Sequence, residues 1–323
     1  MIITQTPYRI SMFGGGSDHP NWYKNHEGSV VSFAIDKYCY LSLRELPPYF
    51  NHNFRVVYSK VETVKEIGEI KHPAVREAFR KFGNGINFEL QHHGDLPAQS
   101  GVGSSSAFAV GIINALKSIQ GENLSSVQLA NEAIFLEQID LMETVGSQDQ
   151  IACAVGGLNY IKFNESGWSY QPLNLSNDYL DAFQNNIILV FSGIPRMSSD
   201  LSKSLIENLD KKEKCMLRNI AMSAEFASLI SNEGDLNLVG DMLKESWVLK
   251  MQLNPLAVTS ELNEFYDLGM ASGADGGKIL GAGGGGFFLF WVKPENQVRF
   301  KKAMRGFITV PIKISMTGSQ RVV

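Results

Sequence analysis

A run of small residues that opens onto a helix restricts the fold of this chain more than any other segment. The run reads Leu96-Pro97-Ala98-Gln99-Ser100-Gly101-Val102-Gly103-Ser104-Ser105-Ser106-Ala107. Glycines let a backbone approach phosphate oxygens closely, and the free N–H groups of a helix N-terminus favour negative charge. Capping the helix would need only one serine, whereas three serines follow two glycines here. The pattern therefore predicts a phosphate-binding loop at the start of a helix over residues 104–119.

Three other nucleotide-binding patterns fit the chain less well. A Walker A loop needs a glycine five residues before its Gly-Lys pair, and Ser272 stands there before Gly277-Lys278. Residues 281–286 match the dinucleotide pattern, but we expect them to follow a helix and precede a strand, the reverse of a Rossmann turn. The chain contains neither the His-Arg-Asp nor the Asp-Phe-Gly triplet of protein kinases.

Composition is typical of a globular protein that handles a small molecule. The 323 residues are 44% apolar and 19% charged, with a formal net charge of −4. The chain has no Lys/Arg-rich run of the kind that binds nucleic acid or membrane surfaces, and no apolar stretch long enough to span a bilayer. Because the amino terminus also lacks a secretory signal pattern, we expect a cytoplasmic protein. Cys39, Cys153 and Cys215 lack disulfide or zinc spacing and are expected to be reduced.

Strand and helix patterns predict an α+β protein of two domains, 1–170 and 171–323, with the boundary placed loosely between residues 163 and 185. The sequence leaves open whether it is a monomer or a homodimer. In the first domain we predict strands at 8–13 and 29–43 and helices at 104–119, 125–143 and 147–155. In the second we predict strands at 186–191, 287–292 and 308–314 and helices at 198–231, 235–252, 260–272 and 295–305.

Two carboxylates stand at positions that suggest chemistry. Glu137 is in line with Ala130, Ile134 and Leu141, so a charge falls on an apolar stripe of its predicted helix, where a bound metal could be its partner. The alternative is a solvated glutamate on a misdrawn stripe. Asp149 falls in the first turn of the next helix, where an acidic residue could simply complement the helix dipole.

The amino-terminal segment Pro7-Tyr8-Arg9-Ile10-Ser11-Met12-Phe13-Gly14-Gly15-Gly16-Ser17-Asp18-His19 reads as a strand that runs into a triple-glycine turn. Such a turn lets the polar residues after it face a ligand. A plain hairpin turn, with Arg9 in a surface ion pair, is the competing interpretation.

Together, and in this order, these segments resemble the GHMP kinases, the family named after galactokinase, homoserine kinase, mevalonate kinase and phosphomevalonate kinase. Their central signature, Pro-x3-Gly-Leu-Gly-Ser-Ser-Ala, is similar to residues 97–107, with Val102 in place of leucine and Ser106 as an extra serine. The resemblance implies two domains, one like ribosomal protein S5 domain 2 and one ferredoxin-like with an antiparallel sheet and helices. It also implies ATP and Mg²⁺ as cofactors.

The resemblance assigns roles to individual residues. Asp149 would be catalytic with Arg9 beside it, since Glu137 precedes Asp149 by the family's dozen residues and residues 146–150 look like its Gly-x-x-Asp-Gln. Ser105 and Glu137 would hold Mg²⁺. The ATP-binding residues it implies are Pro97, Ser100, Gly101, Val102, Gly103, Ser104, Ser105 and Ser106, with Gly283 and Gly284 from a third signature at residues 278–286. The substrate-binding residues are Gly15, Gly16, Ser17, Asp18, His19 and Arg196.

One departure from galactokinases indicates a different sugar. Galactokinases read Gly-Glu-His-Thr-Asp where this chain reads Gly14-Gly15-Gly16-Ser17-Asp18. That segment and Ala34-Ile35-Asp36-Lys37-Tyr38 are similar to a subgroup, the D-glycero-D-manno-heptose 7-phosphate kinases, which phosphorylate an anomeric hydroxyl. Alternatives are a fucose- or galactose-type sugar kinase, a decarboxylase of the same fold and a catalytically silent sugar and ATP sensor. Lys37, Arg44 and Arg196 are candidates to hold a substrate phosphate.

Overall fold

In the part of the chain that the structure describes, the strands form two sheets. The computed structural model describes residues 1–194 and 212–323. In the first sheet the order is β12-β1-β2-β5-β3-β4, and β6 pairs with both β2 and β7. Its strands are β1 Ile2–Phe13, β2 Gly28–Glu45, β3 Phe54–Val57, β4 Val61–Val64, β5 Phe88–Gly94, β6 Leu158–Asn164, β7 Gly167–Pro172 and β12 Gln320–Arg321.

The second sheet is antiparallel throughout, with the order β11-β8-β10-β9. Its strands are β8 Ile187–Phe191, β9 Gly276–Ile279, β10 Phe287–Trp291 and β11 Ile308–Val310. Counted along the chain from β8, this order is fourth, first, third, second, with helices packed on the sheet. It confirms the expected ferredoxin-like carboxyl-terminal domain.

Three of the described helices have 16 or 19 residues, one in the first domain and two in the second, and the others have four to twelve. They are α1 Pro20–Tyr23, α2 Pro73–Phe82, α3 Ser104–Ile119, α4 Ser126–Phe135, α5 Gln148–Val155, α6 Asn177–Asn185, α7 Glu213–Ser231, α8 Leu238–Leu253, α9 Ser260–Ala271 and α10 Gln297–Ala303. Helix α3 has the predicted bounds and packs on β1 and β2. Gly111 allows this, since a Cβ there would lie 2.9 Å from Thr6 Oγ1. The sheet thus holds the start of α3 in place.

The helix predicted over residues 125–143 is shorter and less regular than expected. Ser125 caps α4 as predicted, but after Phe135 the chain forms a π-helical turn, Leu136–Asp140. A π-turn adds one residue per turn, and such turns are frequent at functional sites. Hydrophobic spacing of three and four residues does not distinguish this turn from a continuing α-helix, so the sequence pattern could not show it.

Two further predictions need correction. Strand β9 directly precedes the glycine loop at residues 281–286, so the loop joins two antiparallel strands and does not follow a helix. The last predicted strand ends at Val310, and the chain then leaves the second sheet. Ile314 forms a bridge with Ile35, and β12 pairs with β1. The other predicted elements lie within three residues of their predicted bounds, except that β1 begins at Ile2, six residues early; α1, α2, α6, β3–β7 and β9 were not predicted. The part of the helix predicted at 198–231 that precedes residue 212 lies outside the described residues.

The largest cluster of buried apolar side chains extends across both sheets. It includes Phe33 and Val110 from the first domain and Phe226, Leu243 and Trp291 from the second. A domain boundary between residues 170 and 171 stays a prediction. Within residues 1–194 and 212–323, no helix combines the length and apolar character needed to cross a membrane.

Candidate active site

The phosphate loop lies at the wall of a cavity of about 240 Å³ between the two sheets. Gly101 and Gly103 adopt φ values of +89° and +74°, which other residues rarely adopt. Gly103 is the N-cap of α3, and it offers no side-chain acceptor to the N–H groups of the first turn. Ser104, Ser105 and Ser106 line the cavity at this helix start. The arrangement can therefore receive an anion with backbone and hydroxyl donors.

The second glycine loop packs directly on the first. A Cβ on Gly281 would lie 2.8 Å from Gly101 Cα, and the N–H of Phe287 donates to Ser100 O at 3.0 Å. Gly281 and Ala282 line the cavity. The predicted nucleotide contacts Gly283 and Gly284 instead face Ala257: a Cβ on Gly283 would lie 2.6 Å from Ala257 Cβ, and Gly284 N–H donates to Ala257 O at 2.8 Å.

Glu137 is the buried carboxylate of the site, with a relative exposure of 1%. It accepts hydrogen bonds from Ser105 Oγ at 2.6 Å, Ser106 Oγ at 2.7 Å and Gln150 Nε2 at 2.5 Å. Burial raises its pKa to about 7 in spite of these three donors. The Ser105 hydroxyl and the buried carboxylate are both hard oxygen ligands at the start of α3, so these residues fit a hard metal ion such as Mg²⁺. The alternative of a solvated glutamate is wrong.

Replacing Glu137 with glutamine is expected to stabilise the protein without nucleotide or metal, increasingly as pH rises. The unfolded carboxyl titrates near 4.5 and the folded one near 7. The cost of burying its charge is therefore absent below pH 4.5, grows between these values and is complete above pH 7, where it reaches about 3 kcal/mol. Thermal unfolding from pH 5 to 8 measures the difference in Tm between Glu137→Gln and the parent protein. Glu165→Gln, at an exposed position, is the control, and a gap that does not change with pH would contradict the prediction.

Arg9 and Asp149 form a bidentate ion pair in the cavity. Arg9 Nε donates to Asp149 Oδ1 at 2.6 Å and Nη2 donates to Oδ2 at 2.5 Å, while Nη1 donates to Gly101 O at 2.6 Å. Burial by itself would lower the pKa of Arg9, but the Asp149 carboxylate outweighs this effect and raises it. One guanidinium therefore ties the carboxylate to the phosphate loop. Arg9 is buried, so the surface ion pair considered for it is wrong.

Asp18 links the triple-glycine turn to the start of α5. Its Oδ1 accepts from Gly16 N at 2.9 Å, and its Oδ2 accepts from Gln148 N at 3.2 Å. Gly146 permits this approach, because a Cβ there would lie 1.9 Å from Asp18 Oδ2. Asp149 follows Gln148 directly, so Asp18 helps to place the first turn that carries Asp149. Gly15, Gly16, Asp18 and His19 all line the cavity.

Two side chains of the cavity carry buried polar atoms with no hydrogen-bond partner among the described residues. They are His19 Nδ1 and Gln148 Oε1, on residues that are 8% and 7% exposed. A buried polar atom without a partner costs about 1–3 kcal/mol. A ligand with several hydroxyl groups could satisfy both.

The second domain supplies cavity residues that the sequence reasoning missed: Asn219, Ser246, Lys250, Asn254 and Lys278. The first four are polar residues in or beside long helices, where no local signal separates them from surface positions. Lys278 starts the segment matched to the glycine loop, which could have drawn attention to it. Its Nζ donates to Met12 O at 2.7 Å, and burial, together with Arg9, lowers its pKa to about 7.

Several predicted residues lie outside the cavity. Pro97, Ser100 and Val102 do not line it: Ser100 Oγ donates to Pro97 O at 2.6 Å, and Val102 is fully buried. Ser17 is also fully buried, with its hydroxyl 2.8 Å from Gly14 O. Lys37 pairs with Asp36 and Arg44 with Glu89, so neither reaches the site. Arg196 lies outside the described residues.

Comparison with known proteins gives matches along most of the chain. Residues 68–157 match the family model described as GHMP kinases N terminal domain, and residues 225–307 match GHMP kinases C terminal. The chain is 29% identical to D-glycero-alpha-D-manno-heptose 7-phosphate kinase from Campylobacter jejuni, covering 94% of this chain and 93% of that protein. It is 25% identical to a bifunctional fucokinase/GDP-fucose pyrophosphorylase from Arabidopsis thaliana, over 91% of this chain but 30% of the relative.

The crystal structure of a D-glycero-D-manno-heptose 1-phosphate kinase from Bacteroides thetaiotaomicron has a similar fold. The TM-score is 0.81 at 20% identity, and the match covers 100% of this chain and 99% of the other. At this identity the likeness shows the fold alone.

Proposed function

Since this chain is a sugar kinase of the GHMP family, we propose that its acceptor is a sugar with a phosphate at its far end and that the reaction takes place at the anomeric hydroxyl. The acceptor that we favour is D-glycero-D-manno-heptose 7-phosphate, which would give the 1,7-bisphosphate. The observation that carries the proposal is the position of the Asp149 carboxylate. Arg9 ties it to the phosphate loop, and the unpaired atoms of His19 and Gln148 lie in the same cavity.

The proposed transfer needs the chain mainly to position its reactants. The first turn of α3 and the backbone of Gly101 and Gly103 hold the ATP phosphates. The acceptor oxygen bonds to the γ-phosphorus while the bond from that phosphorus to the β-γ bridging oxygen breaks, and the electron pair leaves with ADP. Asp149 takes the proton of the attacking hydroxyl, and Arg9 fixes the direction of its carboxylate.

Ser105 and Glu137 would hold Mg²⁺, which when bound would offset the charge of the phosphate oxygens. Their fit rests on the geometry described above: a hydroxyl and a fully buried carboxylate 2.6 Å apart at the start of α3. The π-turn brings Glu137 to this position. Ser106 and Gln150 donate to the other carboxylate oxygen and so orient Glu137 without blocking its contact with Ser105.

A second cavity, of about 450 Å³, offers room for an acceptor longer than one ring. It adjoins the first, because His19 and Val145 line both. Lys24 and Tyr23 line its wall, together with the Glu143 carboxylate and with Gln138, whose Nε2 already donates to Val145 O and Ser147 Oγ. With Lys37 and Arg44 held in ion pairs elsewhere, this cavity is our candidate for the far end of the acceptor. A neutral sugar would leave the polar groups of a phosphate site without a partner. We therefore expect the protein to discriminate strongly between phosphorylated and neutral sugars.

A panel of acceptors tests the proposal. We expect ADP release to be at least tenfold faster, as kcat/KM, with terminally phosphorylated heptoses or hexoses than with their free forms, fucose or galactose. ³¹P and ¹³C NMR of the product should place the new phosphate on the anomeric carbon. Preference for a neutral sugar, or transfer to another hydroxyl, would contradict the proposed acceptor and leave the family assignment intact.

A further inference from the structure

One side chain of the second domain forms two hydrogen bonds with the triple-glycine turn of the first domain. Asn219, on α7, accepts a hydrogen bond from Gly14 N at 3.2 Å through Oδ1, and its Nδ2 donates to Gly15 O at 3.0 Å. The two partners are consecutive residues, more than 200 positions away along the chain. A flipped amide would set donor against donor and acceptor against acceptor, so the contact fixes both the amide and the turn.

The turn needs such support because its backbone is unusual. Gly14 and Gly16 adopt φ values of +87° and +102°, and a Cβ on Gly14 would lie 1.9 Å from Ser29 O. Glycine loses more conformational freedom on folding than any other residue, so three in succession form a turn with little intrinsic preference for one shape. The hydrogen bonds around the turn therefore decide its conformation.

The triple-glycine turn also orients groups that face the acceptor. Gly16 N donates to Asp18 Oδ1, and Asp18 Oδ2 accepts from the N–H of Gln148, beside Asp149. Gly15, Gly16 and Asp18 line the cavity together with Asn219, which is 6% exposed. A continuous set of hydrogen bonds thus extends from α7 through the turn to the first turn of α5.

Neither the turn nor Asn219 lies within the residues matched by the two family models, 68–157 and 225–307. The phosphate loop and Glu137, by contrast, lie within the first range. The contact joins the two domains on the side of the cavity that holds Asp18 and His19 and does not involve the phosphate loop.

We infer that Asn219 is a positioning residue for the acceptor: it holds residues 14–16 in the shape that presents Asp18 to the sugar, while the nucleotide site forms without it. The inference deepens the proposed function and rests on it. Removing the amide leaves the turn free to sample other conformations. Part of the binding free energy of the acceptor is then used to order the turn, so the acceptor binds more weakly. The binding of ATP is not weakened in this way, because the loop proposed to bind it consists of other residues.

Asn219→Leu, which has the same branched heavy-atom skeleton but no amide, tests the inference. We expect KM for the acceptor to rise about tenfold, with the KM for ATP changed less than twofold. Ser223→Ala is the matched control, because Ser223 lies one turn further along α7 and bonds across the same junction to Ser29, at 2.7 Å between hydroxyl oxygens, without touching the turn. The control should leave the acceptor KM unchanged. Equal effects on both KM values, or equal effects of the two variants, would overturn the inference.

A second measurement needs no acceptor and so separates this inference from the proposed function. Amide hydrogen exchange of the peptide that covers residues 13–19 should be faster in Asn219→Leu than in the parent or in Ser223→Ala, while exchange in residues 97–107 stays the same. Unchanged exchange at residues 13–19 would overturn the inference even if the panel confirms the sugar. Faster exchange there supports it even if the acceptor is a different sugar.

Discussion

Asp149→Asn is expected to lower turnover by a factor on the order of 10² or more while ATP still binds. Asparagine keeps the shape of the side chain but removes the carboxylate that we propose takes the proton of the attacking hydroxyl. It also loses the charge that faces Arg9, so one of the two Arg9 contacts must weaken. Single-turnover kinetics report the chemical step, and titration with ATP reports binding.

Asp178→Asn is the matched control for this experiment. Asp178 also falls in the first turn of a helix, α6, but it is exposed and lies outside the cavity. If Asp149 only complemented a helix dipole, the two variants would behave alike. If Asp149→Asn turned over at a rate close to that of the parent, Asp149 would be an ordinary acidic residue at a helix start and not a catalytic one.

Arg9→Met should have the other large effect, on both turnover and stability. It leaves the Asp149 carboxylate and Gly101 O without their donor. Breaking a fully buried pair costs about 3 kcal/mol or more, and because the Asp149 side chain is partly exposed we expect a loss of at most about 3 kcal/mol. Misplacement of Asp149 should lower kcat on the order of 10²-fold. Denaturant unfolding and steady-state kinetics measure the two effects. Arg44→Met, which breaks the pair with Glu89 away from the cavity, should leave kcat unchanged.

The double variant Arg9→Met/Asp149→Asn distinguishes electrostatics from packing. If the unpaired carboxylate causes much of the loss of stability, removing it should restore at least about 1 kcal/mol relative to Arg9→Met alone. The kinetic effects should not multiply, because both residues act through one carboxylate. Strictly additive losses of stability and activity would show that the two side chains act independently.

Features that depend on neighbouring residues were predicted well from the sequence. The start of α3 at Ser104, the Ser125 cap of α4 and the end of α5 before Gly156 all follow from local capping and backbone rules. The phosphate loop was identifiable for the same reason, since its glycines and its helix are contiguous. Most of β2 could be read from its dense β-branched and aromatic residues.

Features that depend on distant partners could not be predicted in this way. Arg44 looked like an available cation, but Glu89, 45 positions away, is its ion-pair partner in the folded protein. Lys37, by contrast, pairs with its sequence neighbour Asp36. Gly283 and Gly284 belong to the recognised glycine loop, yet the packing of that loop on Ala257 leaves Gly281 and Ala282 at the cavity. A shift of two residues in how this loop packs therefore decides which of its residues line the cavity.

The sequence by itself determined the two-domain α+β fold, and it singled out the glycine-serine loop before α3 and the carboxylates of Glu137 and Asp149, whose roles stay predictions. Only the tertiary structure decided which groups these residues meet: Arg9 reaches Asp149 across 140 positions, Glu137 turns inward on a π-turn, and Asn219 closes on Gly14. The physical reason is the distance along the sequence over which each kind of interaction acts. Capping, turn and periodicity preferences act over a few residues, whereas hydrogen bonds and burial between distant segments follow from how sheets and helices pack together.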